Sequence, residues 1–333
     1  MTGTPLLSII VGFSSDTNAA VARADHLAEC LEALAKQVDA PPMEIIVPHH
    51  EPIEGLAEVK QRFPEVHFLS APDVVKHAGG REHHDAPRAR GIAAARGELV
   101  GLLEDHEIPD PHWAAAVVAA HRRPDAGIGG AIANGVDRAL NWAVYYCDFG
   151  RYQNPVPAGP TPFASDANVT YKRAELEKVR SAWEEAYREV PVNEALRSLG
   201  KTISLDPSIV VYQNRRGLTF GTALRERFSW GRSYAATRST WLSMPKRLAY
   251  AALSPVLPPL LLFRMGRRAR EQVALGAQAA LDQARPHRAR EGDVAPSRQP
   301  GQPQNGTDLA AVAPGRRGAP GLEGTPASRF DTC

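Results

Sequence analysis

Cysteine is scarce in this chain and never occurs in pairs. The 333 residues contain three cysteines, at positions 30, 147 and 333, and no C-x-x-C spacing. Zinc knuckles and disulfide frameworks need cysteines at short, regular spacings, so both are excluded as the basis of the fold. Cys30 lies in an apolar stretch and is predicted to be a buried helix residue. This cysteine usage favours a reducing, cytoplasmic environment.

Charge of one sign and long apolar runs are also lacking. The formal net charge of +2 does not predict nucleic-acid binding. The most apolar segment, residues 248–263, has three prolines within 16 residues, whereas a spanning helix needs about 20 apolar residues. No basic segment followed by an apolar run opens the chain, so we expect no signal peptide.

What is present is a regular alternation of strand and helix patterns. Short runs rich in Ile and Val predict strands at 6–13, 43–47, 66–69, 99–103 and 127–132. Helical spacing predicts helices at 16–37, 53–63, 87–96 and 113–121, and further on at 173–179, 192–199 and 218–240. Late strands are predicted at 168–171, 203–205 and 209–212, whereas residues 141–163 show no clear period. The alternation predicts an α/β fold, a mostly parallel sheet flanked by helices.

The fourth predicted strand runs directly into an acidic cluster, Glu104-Asp105-His106-Glu107. The carboxyl edge of a parallel sheet is where α/β folds bind ligands. Carboxylates gathered there repel one another unless a cation joins them. A hard divalent ion with oxygen ligands therefore suits this cluster, and it would also neutralise a diphosphate. A solvated acidic loop is the alternative that the cluster alone leaves open.

Several motifs surround this cluster in a fixed order, namely Leu7–Val11, Met43–Val47, Arg88–Glu98, the acids themselves and Pro109–Trp113. This order, over roughly residues 5–240, resembles the family 2 glycosyltransferases. The resemblance implies a GT-A fold, a nucleoside-diphosphate sugar donor, Mg or Mn, and inversion at the anomeric carbon. The acceptor would be a hydroxyl group, with a lipid-linked compound or a polysaccharide as the options.

The resemblance also implies roles for residues on the donor side. Glu104-Asp105-His106 takes the place of the family's Asp-x-Asp motif, with Glu104 on the donor and Asp105 and His106 on the metal. Further donor contacts are implied for residues at the strand ends and on the next helix, namely Gly12, Phe13, His49 and Arg88.

Two positions depart from the family's pattern. His49 and His50 stand where the family has two aspartates, the first of which reads uracil, so uridine as the base is in doubt. Gln213 stands where the family often has a metal-binding His, and Gln is a poor ligand, so we expect the metal to be held either more loosely or by His106 instead.

A second motif implies the catalytic base. The stretch from Trp183 to Glu194, followed by Gly200, resembles the acidic pair at the start of a helix where the family has its general base. Counting back from Gly200 places Glu189 in that position, with Glu194 as the alternative. The stretch around Asp166 and Asn168 resembles the part beneath the acceptor, and both are candidate partners of sugar hydroxyls.

Other features allow more than one interpretation. The arginines of the basic helix, Arg225, Arg227, Arg232 and Arg238, could meet a diphosphate or an anionic acceptor, or form a solvated face. The cluster of His77, His83, His84 and Asp85 fits no standard zinc spacing, and we expect a loop that closes over the donor, with a zinc site as the alternative.

We expect three regions: a GT-A-like domain over 1–240, a basic and apolar helical segment over 241–283, and a disordered tail over 284–333. The middle region could make a peripheral contact with the inner face of a membrane or pack as a helical hairpin on the main domain. The replaced acids leave a degenerate, non-catalytic nucleotide-sugar-binding or membrane-recruitment module as the alternative function. A nucleotidyltransferase is disfavoured because no Gly-rich basic loop follows the first strand.

Overall fold

The computed structural model describes residues 3–14, 22–75, 82–239, 242–256, 259–260, 262–267 and 270. The start of the helix predicted at 16–37, His77 and the tail predicted to be disordered at 284–333 lie outside the described residues. The fold is α/β, as predicted.

The strands run from the first described residues to the end of the sheet domain. Their bounds are β1 (Leu7–Gly12), β2 (Ala22–Arg23), β3 (Met43–His49), β4 (Ile53–Glu54), β5 (His67–Ser70), β6 (Leu99–Glu104), β7 (Glu107–Pro109), β8 (Gly127–Asn134), β9 (Gly159–Pro160), β10 (Asn168–Lys172) and β11 (Ile203–Gln213).

One large sheet organises the domain. Its strand order is β5-β3-β1-β6-β10-β8-β11-β7, with β9 beside β11, while β2 and β4 form a separate parallel pair. Within this order β5, β3, β1 and β6 are parallel to one another. β10 is antiparallel to both of its neighbours, and β8 is parallel to β11. The sheet is therefore mixed, and its parallel half carries the acidic strand end.

The helices cover the sheet and continue beyond it. Their bounds are α1 (Leu27–Ala35), α2 (Leu56–Arg62), α3 (Glu82–Ala94), α4 (Trp113–Ala120), α5 (Ala139–Asp148), α6 (Arg173–Glu177), α7 (Glu189–Ser198), α8 (Phe220–Ser239) and α9 (Met244–Leu253), with short 3-10 turns at Arg180–Ala182 and Ser254–Val256. No helix within the described ranges is both long enough and apolar enough to cross a membrane.

Side chains on β1 show why the sheet is buried on both faces. Leu7, Ile9 and Val11 pack into one apolar cluster, together with residues of α1 and α4. Ile10 points the other way and packs with residues of α3 and α7. Successive side chains of a strand alternate between faces, so helices on both sides are needed to bury this run.

Helix α1 likewise buries apolar residues on one face. Leu27, Cys30, Leu31 and Leu34 are its buried residues, at the spacing of a single helix face. The predicted burial of Cys30 is confirmed.

Several element predictions were wrong in detail. Residues 139–148 form α5, although the aromatic stretch from 141 showed no period; its buried residues include Val144 and Tyr145, whereas Trp142 and Tyr146 are only partly buried, which blurs the pattern. The two late strands are a single strand, β11, whose register shifts between Asp206 and Val210.

Candidate active site

The ends of three neighbouring strands meet at one edge of the sheet. Gly12 at the end of β1 pairs with Glu104 at the end of β6. The next amide, that of Asp105, donates to the Gly12 carbonyl over 3.0 Å. His49 ends β3, which pairs with the other side of β1. The structure thus brings Gly12, His49 and Glu104 together at the carboxyl edge, where α/β folds bind ligands.

A buried arginine joins two carboxylates at this edge. Arg88, on α3, is 2% exposed, and its guanidinium lies 2.7 Å from Asp166 and 3.2 Å from Glu104. Burial alone disfavours the charged guanidinium, but the carboxylates of Asp166 and Glu104 outweigh it and raise the pKa of Arg88. The guanidinium is therefore a fixed positive charge that holds the two acids in place.

Position 12 has no room for a side chain, because Arg88 passes directly over Gly12. A Cβ atom at position 12 would lie 2.7 Å from Nε of Arg88 and 3.1 Å from its Cγ. Any side chain at this strand end would push the guanidinium away from Glu104. Gly12 and Arg88, two of the predicted donor residues, thus depend on each other sterically.

The three residues of the acidic motif have different environments. Asp105 is fully buried and accepts a hydrogen bond of 2.9 Å from the backbone N–H of Ser14. His106 lies between the other two, with Nδ1 3.3 Å from Asp105 Oδ1 and Nε2 3.6 Å from Glu104 Oε2. An Nδ1–H held by Asp105 leaves the lone pair of Nε2 directed towards the Glu104 side.

Glu107, which the sequence analysis left without a role, fixes this turn. One of its oxygens accepts the backbone N–H of Glu104 over 2.7 Å, and the other accepts Nε2 of Gln213 over 2.7 Å. Burial raises the pKa of Glu107 well above its ordinary value, and the Glu104 carboxylate adds to the rise. The side-chain amide of Gln213 is therefore engaged as a donor to Glu107. The consecutive acids at a strand end were the signal that could have identified Glu107.

The two candidate bases lie on α7 in different surroundings. Glu189 is the first residue of the helix and is partly buried, whereas Glu194 is exposed. Burial raises the pKa of the Tyr152 hydroxyl, and the carboxylates of Glu189 and Asp166 add to the rise. Both carboxylates also contribute to the raised pKa of Tyr171, which is chiefly due to burial. Glu189 and Asp166 therefore border the same group of buried tyrosines, next to the Arg88 ion pairs.

Comparison with known families decides the class of this domain. Residues 19–180 match the family model described as Glycosyl transferase family 2. The match includes Arg88, the acidic motif and Asp166. Residues 19–180 are thus a family 2 glycosyltransferase domain. Gly12, Glu189 and Gln213 lie outside the matched residues, and no curated protein matches the sequence.

Solved structures with a similar fold have low sequence identity to this chain. The mannosyltransferase PcManGT from Pyrobaculum calidifontis, in complex with GDP-Man and Mn²⁺, is 16% identical, with 86% of this chain and 83% of that chain covered and a TM-score of 0.45. S. aureus TarS 1–349 is 16% identical, with 62% of this chain covered and a TM-score of 0.43. Its complex with UDP-GlcNAc is 15% identical, with 63% and 58% of the two chains covered and a TM-score of 0.43. The chain spans 60% of the length of TarS 1–349.

The helix that carries Arg88 also connects the strand ends to the segment before Glu189. His84 donates through Nδ1 to the carbonyl of Phe13, which can only accept. Asp85 is fully buried, accepts Nε of Arg188 over 2.8 Å, and receives the Tyr187 N–H at its carbonyl. These contacts use His84 and Asp85 for structural bonds, which argues against the zinc alternative for this cluster. The side chain of His83 lies outside the described residues.

Asn168 does not have the environment predicted for an acceptor contact. It is 1% exposed, accepts the indole N–H of Trp113 over 3.0 Å, and donates to the carbonyls of Ala131 and Ile209. Its amide is occupied within the core of the domain, so we replace the predicted acceptor contact of Asn168 with a structural role. Asp166, whose side chain is 16% exposed, keeps an accessible edge.

His49 is buried as a neutral ring. Its Nδ1 lies 3.1 Å from the carbonyl of His50 and must donate to it, which makes Nε2 a hydrogen-bond acceptor. Burial lowers the pKa of His49, so the ring stays uncharged at neutral pH. A neutral acceptor thus occupies the position where the family resemblance places an aspartate.

Proposed function

We propose that this glycosyltransferase moves a sugar from a nucleoside-diphosphate sugar to a hydroxyl acceptor, with inversion at the anomeric carbon. The observation that carries the proposal is the ion-pair network of Arg88, Glu104 and Asp166. It lies at the carboxyl edge of the sheet and includes Glu104 of the acidic motif, and its Asp166, together with Glu189, adds to the rise that burial causes in the pKa of Tyr152. A donor bound at the motif would present its anomeric carbon towards Asp166 and Glu189.

Metal dependence is part of the proposal, and the residues fit it. Two ligands of one Mg or Mn ion, each about 2.1 Å from it, are separated by at most about 4.2 Å. Glu104 Oε2 and His106 Nε2 are 3.6 Å apart. The described residues contain no group of three or more acidic, His or Cys side chains arranged for a metal. Mg usually takes one or two carboxylates together with substrate phosphates and water, so a two-residue site is sufficient.

We therefore assign Glu104 and His106 as the metal-binding pair. Asp105, predicted from the sequence as a ligand, is better suited to orient His106, because its carboxylate faces Ser14 and Nδ1 of the imidazole. A cation held there would neutralise the charge that develops on the leaving diphosphate.

Glu189 is the proposed general base. Deprotonation of an acceptor hydroxyl requires one carboxylate close to the sugar, and Glu189 is partly buried near Asp166 whereas Glu194 is exposed further along α7. The start of a helix favours the ionised carboxylate at this position. Attack on the face opposite the diphosphate would invert the anomeric centre. Lipid-linked compounds and polysaccharides both remain candidate acceptors.

The test combines transfer assays with calorimetry. A panel of radiolabelled nucleotide sugars is incubated with Mn, and Glu189→Gln is compared with Glu194→Gln on the same helix. We expect Glu189→Gln to lose roughly a hundredfold or more in kcat, with nucleotide binding retained, and Glu194→Gln to stay near the parent. His106→Ala should abolish the Mn-dependent part of nucleotide binding, whereas His112→Ala, an exposed neighbour, should not.

The outcomes separate the alternatives. If Glu194→Gln lost activity and Glu189→Gln kept it, the base would be Glu194. Metal-dependent nucleotide binding without turnover on any donor would favour the non-catalytic binding module. Absence of both binding and turnover would contradict the proposed function as a whole.

A further inference from the structure

The stretch of chain between Glu226 and Arg270 combines positive charge with a complete lack of acidic residues. Residues 227–270 contain nine Arg or Lys residues and no Asp or Glu. No carboxylate within this stretch can therefore neutralise Lys246, Arg247 or Arg270, which are all exposed. Such a segment attracts an anionic surface more strongly than the small net charge of the whole chain implies.

Helix α8 adds an exposed apolar stripe to this charge. Phe220, Leu224 and Phe228 follow one another at intervals of four residues and are 73%, 61% and 65% exposed. Side chains at this spacing lie on one face of a helix. Arg232 lies beside the stripe, with its guanidinium 5.8 Å from the centre of the Phe228 ring.

The face of α8 that adjoins this stripe is attached to the domain. Ala223 is buried against Val144 and Leu218. Glu226 is buried and pairs with Arg215 over 2.5 Å, and Arg227 pairs with Asp148 at the end of α5. These contacts hold the helix with its apolar stripe turned outwards.

Helix α9 also exposes its apolar side chains. None of its ten residues is buried, and the apolar residues Met244, Leu248 and Leu253 are each more than 60% exposed. An isolated helix shorter than about 12–15 residues is only marginally stable in water. A surface that receives its apolar side chains would supply the missing stabilisation. The alternative of a helical hairpin packed on the main domain does not agree with this exposure.

We propose that α8, α9 and the segment up to Arg270 form a docking surface for an anionic phospholipid bilayer. Apolar side chains would enter the boundary between headgroups and acyl chains, while the flanking Arg and Lys residues meet lipid phosphates. Charge decides between possible occupants, because a second copy of this surface would bring its own exposed basic residues, Lys246 and Arg247 among them, against those of the first. The proposal is independent of the donor chemistry proposed above.

Vesicle co-sedimentation of the full chain tests this surface. Vesicles of phosphatidylcholine alone are compared with vesicles in which a third of the lipid is phosphatidylglycerol, at low and high salt. We expect binding to the anionic vesicles only, weakened by salt. Lys246→Glu/Arg247→Glu should weaken binding roughly tenfold or more, because each basic residue near an anionic surface contributes about a factor of five.

Two further variants complete the design. Leu248→Glu/Leu253→Glu should also lose binding, which a purely electrostatic contact would not do to the same extent. Lys36→Glu/Arg122→Glu, which reverses two exposed charges outside the surface, should bind like the parent. Circular dichroism checks that each variant is folded, and the mutated side chains are exposed, so no loss of fold is expected.

Three outcomes would overturn the proposal. Failure of the parent chain to bind anionic vesicles would remove the bilayer as the occupant. Equal losses in the control variant would show that only total charge matters. A dimer in sedimentation velocity that Leu248→Glu/Leu253→Glu dissociates would identify a second copy of the chain as the occupant instead.

Discussion

The edge of the sheet and the helices that follow it differ in how their basic side chains are placed. At the sheet edge, Arg88 is buried and both of its carboxylate partners lie within the same domain. In α8 and α9, basic and apolar side chains are exposed, and the sequence from 227 to 270 supplies no acid for them. Contacts within the domain therefore fix the geometry at the sheet edge. The exposed side chains of α8 and α9 are instead available to a partner outside the domain.

The largest expected effect comes from breaking the internal network. Arg88→Ala leaves Glu104 and Asp166 poorly solvated and without their cation, and loss of one partner of a buried ion pair costs about 3–5 kcal/mol. We expect this loss in the free energy of unfolding by urea denaturation. The matched variant is Arg90→Ala on the same helix, whose ion pair with Asp73 is exposed and should contribute no more than about 1 kcal/mol. Equal losses in the two variants would show that the Arg88 network is not held in a buried environment.

A buried histidine next to the sheet predicts a pH effect of nearly this size. His121 is 7% exposed, and burial, with Lys172 nearby, lowers its pKa from 6.5 to about 4. Between these values the unfolded chain takes up a proton that the folded chain does not, so stability is full above pH 6.5 and falls as the pH approaches 4. The loss from this group amounts to about 3 kcal/mol.

His121→Gln isolates that contribution. The Nε2–H of His121 donates to the Thr170 hydroxyl over 2.7 Å, and the Gln amide can keep a donor there without titrating. We expect the variant to lose less stability than the parent between pH 6.5 and 4, measured by urea denaturation across that range. His67→Gln, at an exposed position, should follow the parent curve. A parent-like pH dependence in His121→Gln would contradict the assignment.

The parallel part of the sheet and the acidic strand end were largely predictable from the sequence, because they depend on local signals. Apolar runs of four to eight residues mark buried strands, and acids directly after such a run mark the carboxyl edge. Gly12 and Arg88 were predicted separately from the family resemblance. What no local pattern expresses is their steric dependence, since Arg88 reaches Gly12 from α3 only once the sheet has formed.

The errors came from side chains whose partners are distant in sequence. Asn168 looked like a polar residue available to a ligand, yet Trp113, Ala131 and Ile209 occupy its amide from three other elements. Helix α5 was missed because it is only partly covered, so its apolar residues do not repeat with a clear period. In both cases the deciding contacts exist only in the assembled fold.

The smallest expected effect concerns the exposed stripe and tests the second half of the comparison. Leu31 on α1 is fully buried, whereas Leu224 on α8 is 61% exposed. Leu31→Ala should cost about 2–5 kcal/mol, because it removes buried methyl groups and leaves a cavity. Leu224→Ala in the absence of vesicles should change the free energy of unfolding by no more than about 0.5 kcal/mol, since surface substitutions away from special features rarely exceed this. A cost for Leu224→Ala close to that for Leu31→Ala would mean that protein already covers the stripe in solution, and the lipid-binding surface would then have to be sought in α9 alone.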